Sequence, residues 1–441
     1  MVGVTFASCV AVGIGGFLNA RDGLQKASSG ELTMVAQARK ALIEVRLGGA
    51  VSSLSNIASG AGTALALTDM NSAAGNLEFE RAELTEYFQP EGVSGADRAE
   101  ITGKDNKTMY SWRHSDVHGS FYSEWKNGGY SDIYVINKDG LIIYTVTKSG
   151  DFLNSVTDEG IQGTELAAVY EQAMQGEQGQ QFFSDFKSYS PDGSPGVATM
   201  FIAEPAYLTN FSGTELGGVV AMRIDATYLE AVANDRKGLG ETGQVFMVDQ
   251  NGTLITNQPL AAEPTVLAKT MDADIVRAAI GGAEASGIVT GADGVDRLMV
   301  AEPVSFGNSN WALIAERTVA ESMGSVVDMR NSMILSTLIT VAIAGIIALF
   351  FSRSITGPLS RLATALDDIA QGNHGVDISA ARRGDEIGDI GRAVLKIREN
   401  AEEEQERRAA EEAEEQKRRE GLDDMAFYNE DDGDPYGLSR K

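Results

Sequence analysis

The residues of this 441-residue chain best suited to chemistry lie between Trp125 and Asp185. Trp125, Tyr130, Tyr134 and Tyr144 supply aromatic surface close in sequence to Asp132, Lys148 and Asp151, and Phe183 and Asp185 follow. A small charged ligand is held by apolar walls and a few opposed charges, and this set contains both. Alternation along Asp132-Ile133-Tyr134-Val135 puts Asp132 and Tyr134 on one face of a strand. Any one of these residues alone reads equally as a core ring or a solvated charge. As a set, Trp125, Tyr130, Asp132, Tyr134, Lys148, Asp151 and Asp185 are the candidate ligand-binding residues.

Other motifs carry less. Gly238-Leu-Gly240-Glu-Thr-Gly243 is a literal G-x-G-x-x-G. A dinucleotide site needs a strand before such glycines and a helix opening on the third. Here a helical stretch (226–233) precedes them and a strand (244–249) follows, so the expectation is a flexible join. His114 and His118 are four residues apart, but no Glu lies between them and no cysteine or third ligand is near, so both are expected on the surface. No serine elbow, phosphate loop or cysteine nucleophile appears. No catalysis, metal or cofactor is expected.

The formal net charge of -27 excludes a nucleic-acid binder, because phosphate backbones are held by excess Lys and Arg. The single cysteine, Cys9, forms no internal disulfide.

What must position the candidate residues follows from two apolar segments. Ser332 to Ser352 is uncharged, and about 20 residues at 1.5 Å each cross a hydrocarbon core of roughly 30 Å. Arg353, Arg361, Arg382 and Arg383 lie beyond it, which makes that side cytoplasmic by the positive-inside rule. Residues 1–18 are apolar and end before Arg21 and Asp22; they read as a first membrane helix, with a cleaved signal sequence as the rival. Residues 22–330 are then outside the cytoplasmic membrane.

The outer region opens with a helical pattern from Asp22 to about Gln89 and then turns to strands. Asp132-IYVIN-KDG-LIIYTV-Thr147 reads as a hairpin around Lys138-Asp139-Gly140, and Gln244-VFMVD-QNG-TLIT-Asn257 repeats that design. Helices follow at 165–174 and 272–280. Next come strands ending in the same tripeptide, Ala203-Glu204-Pro205 and Ala301-Glu302-Pro303, and closing strands at 217–225 and 311–317. The matched order predicts two similar modules, each an antiparallel sheet with a helix on one face. The fold class is α+β, with the membrane-distal part at 22–235 and the membrane-proximal module at 236–317.

The long helical stretch from Asp22 to about Gln89, Tyr130-SDIYVINKDGLIIYTV-Thr147 with Asp151 after it, and Gly238-LGETGQVFMVDQN-Gly252 resemble a double Cache domain, the PAS-like extracellular sensor of bacterial chemoreceptors. The resemblance implies that the membrane-distal module binds a small molecule and suggests an amino acid or small carboxylate.

Past the membrane segment (332–352), Leu359, Leu362, Leu366 and Ile369 are spaced three, four, three, and Ile387, Ile390, Val394 and Ile397 repeat the seam. Short heptad helices bury such seams as a four-helix bundle from two chains, so a dimer is expected. This stretch (353–402) resembles a HAMP domain: Pro358 matches its first-helix proline, Gly372 its connector glycine, and Asp385-Glu386-Ile387-Gly388 its second-helix motif. His374 departs from the pattern, standing where the family has an apolar connector residue. Pro358, Leu362, Leu366, Gly372, Glu386 and Ile390 are the candidate relay residues.

Residues 403–441 read as a charged helix followed by a disordered acidic tail containing Asp431-Asp432-Gly433-Asp434-Pro435. The resemblance to methyl-accepting chemotaxis proteins implies a further signalling hairpin; truncation or a frame change is the favoured explanation of its absence. Three functions stay open. One is a chemoreceptor-type sensor. Another is the input half of a sensor kinase or cyclic-nucleotide signalling protein. The third is a stand-alone interaction protein that heterodimerises with full receptors.

Overall fold

The computed structural model describes residues 2–192, 196–211 and 213–427. The chain divides into a sensor unit, Leu18–Asp328, and a second unit of Met1–Phe17 with Met329–Lys441.

In the sensor unit the first helix, α1 (Val2–Ala58), stops well short of Gln89. It breaks at Ser59-Gly60, where the Thr63 hydroxyl turns back on the Ile57 carbonyl at 2.6 Å. Short helical pieces follow, including a π-helical turn at Ala66–Met70, and then α2 (Leu77–Phe88) and α3 (Met109–Gly128). Thr108 caps α3 by accepting from Ser111 N–H, and Gly129 ends it at φ 71°.

The distal sheet contains β1 (Asp132–Asn137), β2 (Ile142–Thr145), β3 (Phe182–Phe183), β4 (Lys187–Tyr189), β5 (Val197–Asn210) and β6 (Gly213–Asp225). The order is β2-β1-β6-β5-β3, with β4 also on β5, all antiparallel. Ile133, Val135, Ile143 and Tyr144 face the core shared with α1 to α3. Tyr134, Ile136 and Phe201 face the other way, toward α4 (Glu165–Ala173). After β6 comes α5 (Ala226–Ala233).

The proximal sheet contains β7 (Gln244–Val248), β8 (Ala285–Thr290), β9 (Asp296–Phe306) and β10 (Ser309–Thr318), in the order β7-β10-β9-β8. Here α6 (Asp274–Ile280) covers the face carrying Phe246, Val248 and Ile314.

The repeat extends to individual hydrogen bonds. In each module an Asx side chain holds the first turn: Asn137 Oδ1 accepts from Asp139 and Leu141 N–H, and Asp249 Oδ1 from Asn251 and Thr253 N–H. Leu153 and Leu267 both have positive φ, and each donates its N–H to the return limb of its hairpin, at Ile142 O and Leu254 O. Asp132 pairs with Arg223, and Gln244 with Glu316. Two expectations need correction. The tripeptides lie inside β5 and β9, because each long strand continues to cover its neighbour. The return limb of the second hairpin is reduced to an isolated bridge, Val248–Leu254.

In the second unit, α8 (Gly324–Phe351) is, among the described residues, the core of the one helical stretch long and apolar enough to cross a membrane. Gly13 and Gly16 of α1 lie against Thr337 and Met333, an antiparallel small-residue contact. Beyond it α9 (Gly357–Ala370) has Pro358 in its first turn, Gly372 turns the chain at φ 90°, and α10 runs Glu386–Phe427. Leu362 and Ile369 bury against Ile378, Ala380 and Val394, while Leu366 and Ile390 stay 40% and 46% exposed. Asp385 N–caps α10 through Gly388 N–H, and Glu386 opens the helix. The charged stretch continues this helix, with Arg407 and Arg408 both paired to Glu404. The Asp431-Asp432-Gly433-Asp434-Pro435 segment lies outside the described residues.

Candidate functional site

The distal module gathers a buried polar cluster on the sheet face toward α4. Asp151 follows β2 and is brought against the sheet by the turn at Leu153. Its Oδ2 accepts from Tyr134 OH at 2.9 Å and Tyr189 OH at 2.8 Å. Its Oδ1 is buried and meets no hydrogen-bond donor. An unmet carboxylate oxygen away from water costs free energy, and Oδ1 is the acceptor of this cluster with spare capacity. Burial, above all, raises the Asp151 pKa; the two tyrosine hydroxyls and the Arg223 charge oppose that shift.

Asp132 lies on the adjoining strand with all its capacity used. Its Oδ1 accepts from Ile133, Val146 and Thr147 N–H at 2.8, 2.8 and 3.1 Å, and its Oδ2 from the Thr147 hydroxyl. Burial, followed by repulsion from Asp151, pushes its pKa up to about 7. Arg223, directly across the strand pair, donates Nε to Asp225 at 2.9 Å and stacks over the Tyr189 ring at 5.3 Å. Asp132 therefore fixes strand geometry, and Asp151 offers the free acceptor.

Of the expected residues, the structure unites Asp132, Tyr134 and Asp151 and places the others elsewhere. Lys148 points into the helical layer, where its Nζ donates to the Arg98 and Ile101 carbonyls; burial lowers its pKa to about 7. Its backbone takes a left-handed φ of 44°, which turns it away from Asp151. Trp125 donates Nε1 to Ser131 O at 3.3 Å and packs on Tyr122. Tyr130 packs on Tyr228. Asp185 accepts from Trp311 Nε1 at 3.0 Å, at the junction of the two modules. Tyr189 and Arg223 were missed. A lone Arg in the apolar run Gly217-GVVAMRI-Asp225 was the available signal; Tyr189 had none, since β4 is only three residues long.

The histidines also need correction. His114 and His118 are buried and stacked at 4.9 Å, because α3 turns that face onto the sheet. His118 Nδ1 shares a hydrogen bond with Tyr144 OH, and its Nε2 faces the Ala99 carbonyl. Burial, with Lys148 nearby, lowers the pKa of both, His118 to about 4.

The glycine motif is clamped, not a flexible join. Glu321, in the short helix α7 (Val319–Ser322), accepts from Glu241 and Thr242 N–H at 2.8 Å each and from the Thr242 hydroxyl. Gly240, at φ 77°, has no room for a Cβ beside that carboxylate. The loop is a backbone nest around an anion, and the anion is the chain's own side chain.

A Cache domain model matches residues 24–326, and a HAMP domain model matches 350–403. A probable chemoreceptor of Sinorhizobium fredii is 27% identical over 273 residues, 62% of this chain. The chain spans about a third of that relative's length (33%). Among solved structures, the periplasmic sensory domain of the Campylobacter jejuni chemoreceptor Tlp1 is 14% identical, covering 68% of this chain and 98% of its own, with TM-score 0.42. The ligand-binding domain of the Pseudomonas fluorescens chemoreceptor CtaA with L-serine is 15% identical over 66% of this chain and 98% of its own, with TM-score 0.36. The chain thus belongs to the Cache-domain family and carries a HAMP domain behind its apolar helix.

Proposed function

We propose that this protein is a chemoreceptor-type membrane sensor whose distal module binds a small amino acid, and which signals through its HAMP helices without catalysing a reaction. The observation that carries the reading is the buried Asp151 oxygen with no donor. An α-ammonium group supplies that donor together with a compensating charge, and Arg223 is the cation placed to receive the α-carboxylate.

The second unit supports the remainder of the reading. Residues 1–18 and α8 cross the cytoplasmic membrane twice, leaving the sensor outside. The exposed Leu366 and Ile390 fit a seam completed by a second copy, so the working form is a homodimer.

The test is the melting temperature of the full chain in lipid nanodiscs against the twenty L-amino acids. A ligand at 100 times its Kd adds about 2.7 kcal/mol. The expected result is a shift with at least one amino acid that Asp151→Asn removes. A folded chain that answers none of them, or a shift that survives Asp151→Asn, overturns the reading.

A further inference from the structure

The proximal module repeats the backbone of the distal site but leaves open the space that is closed there. Register gives the correspondence. With Ala203 matched to Ala301 and Asp132 to Gln244, Arg223 falls on Glu316 and Phe201 on Met299. Tyr189 pairs with Val197 at the strand edge, and Val295, which matches Val197, is met by Gly291 N–H at 2.9 Å. Glycine thus stands where the distal module has Tyr189, and methionine where it has Phe201. Two rings are missing, and a cavity of about 740 Å³ lies there, its walls including Gln244, Gly291, Arg297, Met299 and Glu316. That volume lies within the range of small-molecule sites, about 300 to 1,000 Å³.

The chemistry of the floor has changed as well as its shape. Glu316 replaces Arg223, and it is buried. Its Oε1 accepts from Gln244 Nε2 at 2.7 Å, and Arg297 Nε stands 3.6 Å away. Arg297 is also held by Asp293, with Nη1 to Oδ1 at 2.9 Å, so its charge is shared between two carboxylates. Asp272, Asp293 and Glu316 outnumber Lys269 and Arg297 around the cavity. A buried carboxylate with half a cation favours a positively charged guest.

We propose that this cavity is a second ligand site, in the membrane-proximal module, which takes a small organic cation, a primary amine or diamine, with its ammonium group on Glu316. This site is separate from the distal amino-acid site and does not depend on it. Apolar walls at Met299 and Ala261 receive the carbon chain.

The experiment is calorimetric titration of the full chain in nanodiscs with ethanolamine, putrescine and agmatine. It is done in an Asp151→Asn background, which silences the distal acceptor. At least one amine should bind to a single saturable site. Glu316→Gln, which keeps the shape and the bond to Gln244, should weaken binding tenfold or more. Ala261→Trp, which blocks the cavity without touching Glu316, should abolish it; equal melting temperatures of the variants exclude unfolding as the cause. The proposal is overturned if no amine binds in the Asp151→Asn background, or if binding survives either Glu316→Gln or Ala261→Trp.

Discussion

The distal and proximal modules use one backbone plan for two different interiors. Both turn on an Asx side chain, at Asn137 and Asp249, and both pass through a leucine of positive φ, at Leu153 and Leu267. Both present the Glu of the shared tripeptide to α1: Glu204 accepts from Ser55, and Glu302 lies 3.9 Å from Lys40. Fifteen residues separate Ser55 and Lys40, about 22 Å at 1.5 Å per helical residue, so α1 serves as the common spine of the two sheets. On the opposite sheet face the plans diverge. The distal module packs Tyr134, Tyr189 and Phe201 around a carboxylate, and the proximal module has Gly291 and Met299 beside an open cavity. What is conserved between the halves is the hydrogen-bonded frame, and what varies is side chains that the frame does not need.

The largest effect tests that division at Tyr189. Removing its ring should cost about 3 to 5 kcal/mol, the range for emptying an aromatic from a closed core. Tyr189→Ala also leaves Asp151 Oδ2 with one donor in place of two. Met299→Ala, at the border of a cavity already open, should cost less than the 2 to 5 kcal/mol of a closed site. Chemical denaturation of the full chain compares the two; equal losses would mean that the proximal cavity is filled in solution.

A second contrast lies where each module ends. Asp225 and Thr318 hold the same register position, and each precedes a helix. Asp225 turns back into its own sheet, accepting from Thr199 and Arg223. Thr318 instead caps α7 through Glu321 N–H, and Glu321 closes on the glycine nest. Glu321→Gln weakens charge-assisted bonds worth about 1.5 to 3 kcal/mol each when lost outright, so a loss near the lower figure is expected. Amino-acid affinity should stay unchanged, because the distal site is untouched. A change in affinity would show that the nest is coupled to distal binding.

These features differ in how far the sequence revealed them. The repeat was legible because turn glycines, alternating strands and the Ala-Glu-Pro tripeptide leave marks in the chain itself. Asp132, Tyr134 and Asp151 were legible for the same reason, being near neighbours along a hairpin and its return. Tyr189 and Arg223 lie 38 and 72 residues beyond Asp151, and only sheet register brings them near it. The clamp on Gly240 was hidden because its partner Glu321 is 80 residues downstream in the chain. Lys148 was misread because charge and proximity favoured Asp151, while a single left-handed residue sent its side chain to the opposite face. The histidines were misread because a polar residue on an apolar helix face looks solvated until the layer above it is known.

The histidines also make the modules differ in pH response, since His114 and His118 are both distal and the proximal module has none. The folded pKa of His118 is lowered to about 4, below the unfolded value of about 6.5. Between those values the unfolded chain binds more protons, so stability is full above 6.5 and falls as pH drops toward 4. For His118 alone, moving from pH 7.5 to 5 should remove about 2 kcal/mol. His118→Gln should flatten that slope in thermal melts. A slope of the same size in the variant would assign it to groups other than His118.

The smallest effect is the most discriminating, because the two modules should answer with opposite sign. Glu204 is satisfied: Ser55 Oγ donates at 2.5 Å and Gln181 Nε2 at 2.9 Å. Glu302 is equally buried, yet neither of its oxygens meets a well-formed hydrogen bond, and Lys40 stands at 3.9 Å. Burial, then the Glu284 charge, raises its pKa, with Lys40 opposing. A neutral amide relieves the cost of a poorly matched charge at Glu302 but spoils a matched acceptor at Glu204. Glu302→Gln should therefore stabilise the full chain by about 1 kcal/mol, and Glu204→Gln should destabilise it by a similar amount. If both substitutions destabilise, Glu302 carries a binding partner on α1 that the hydrogen-bond geometry does not show. The spine would then hold both sheets by the same kind of bond.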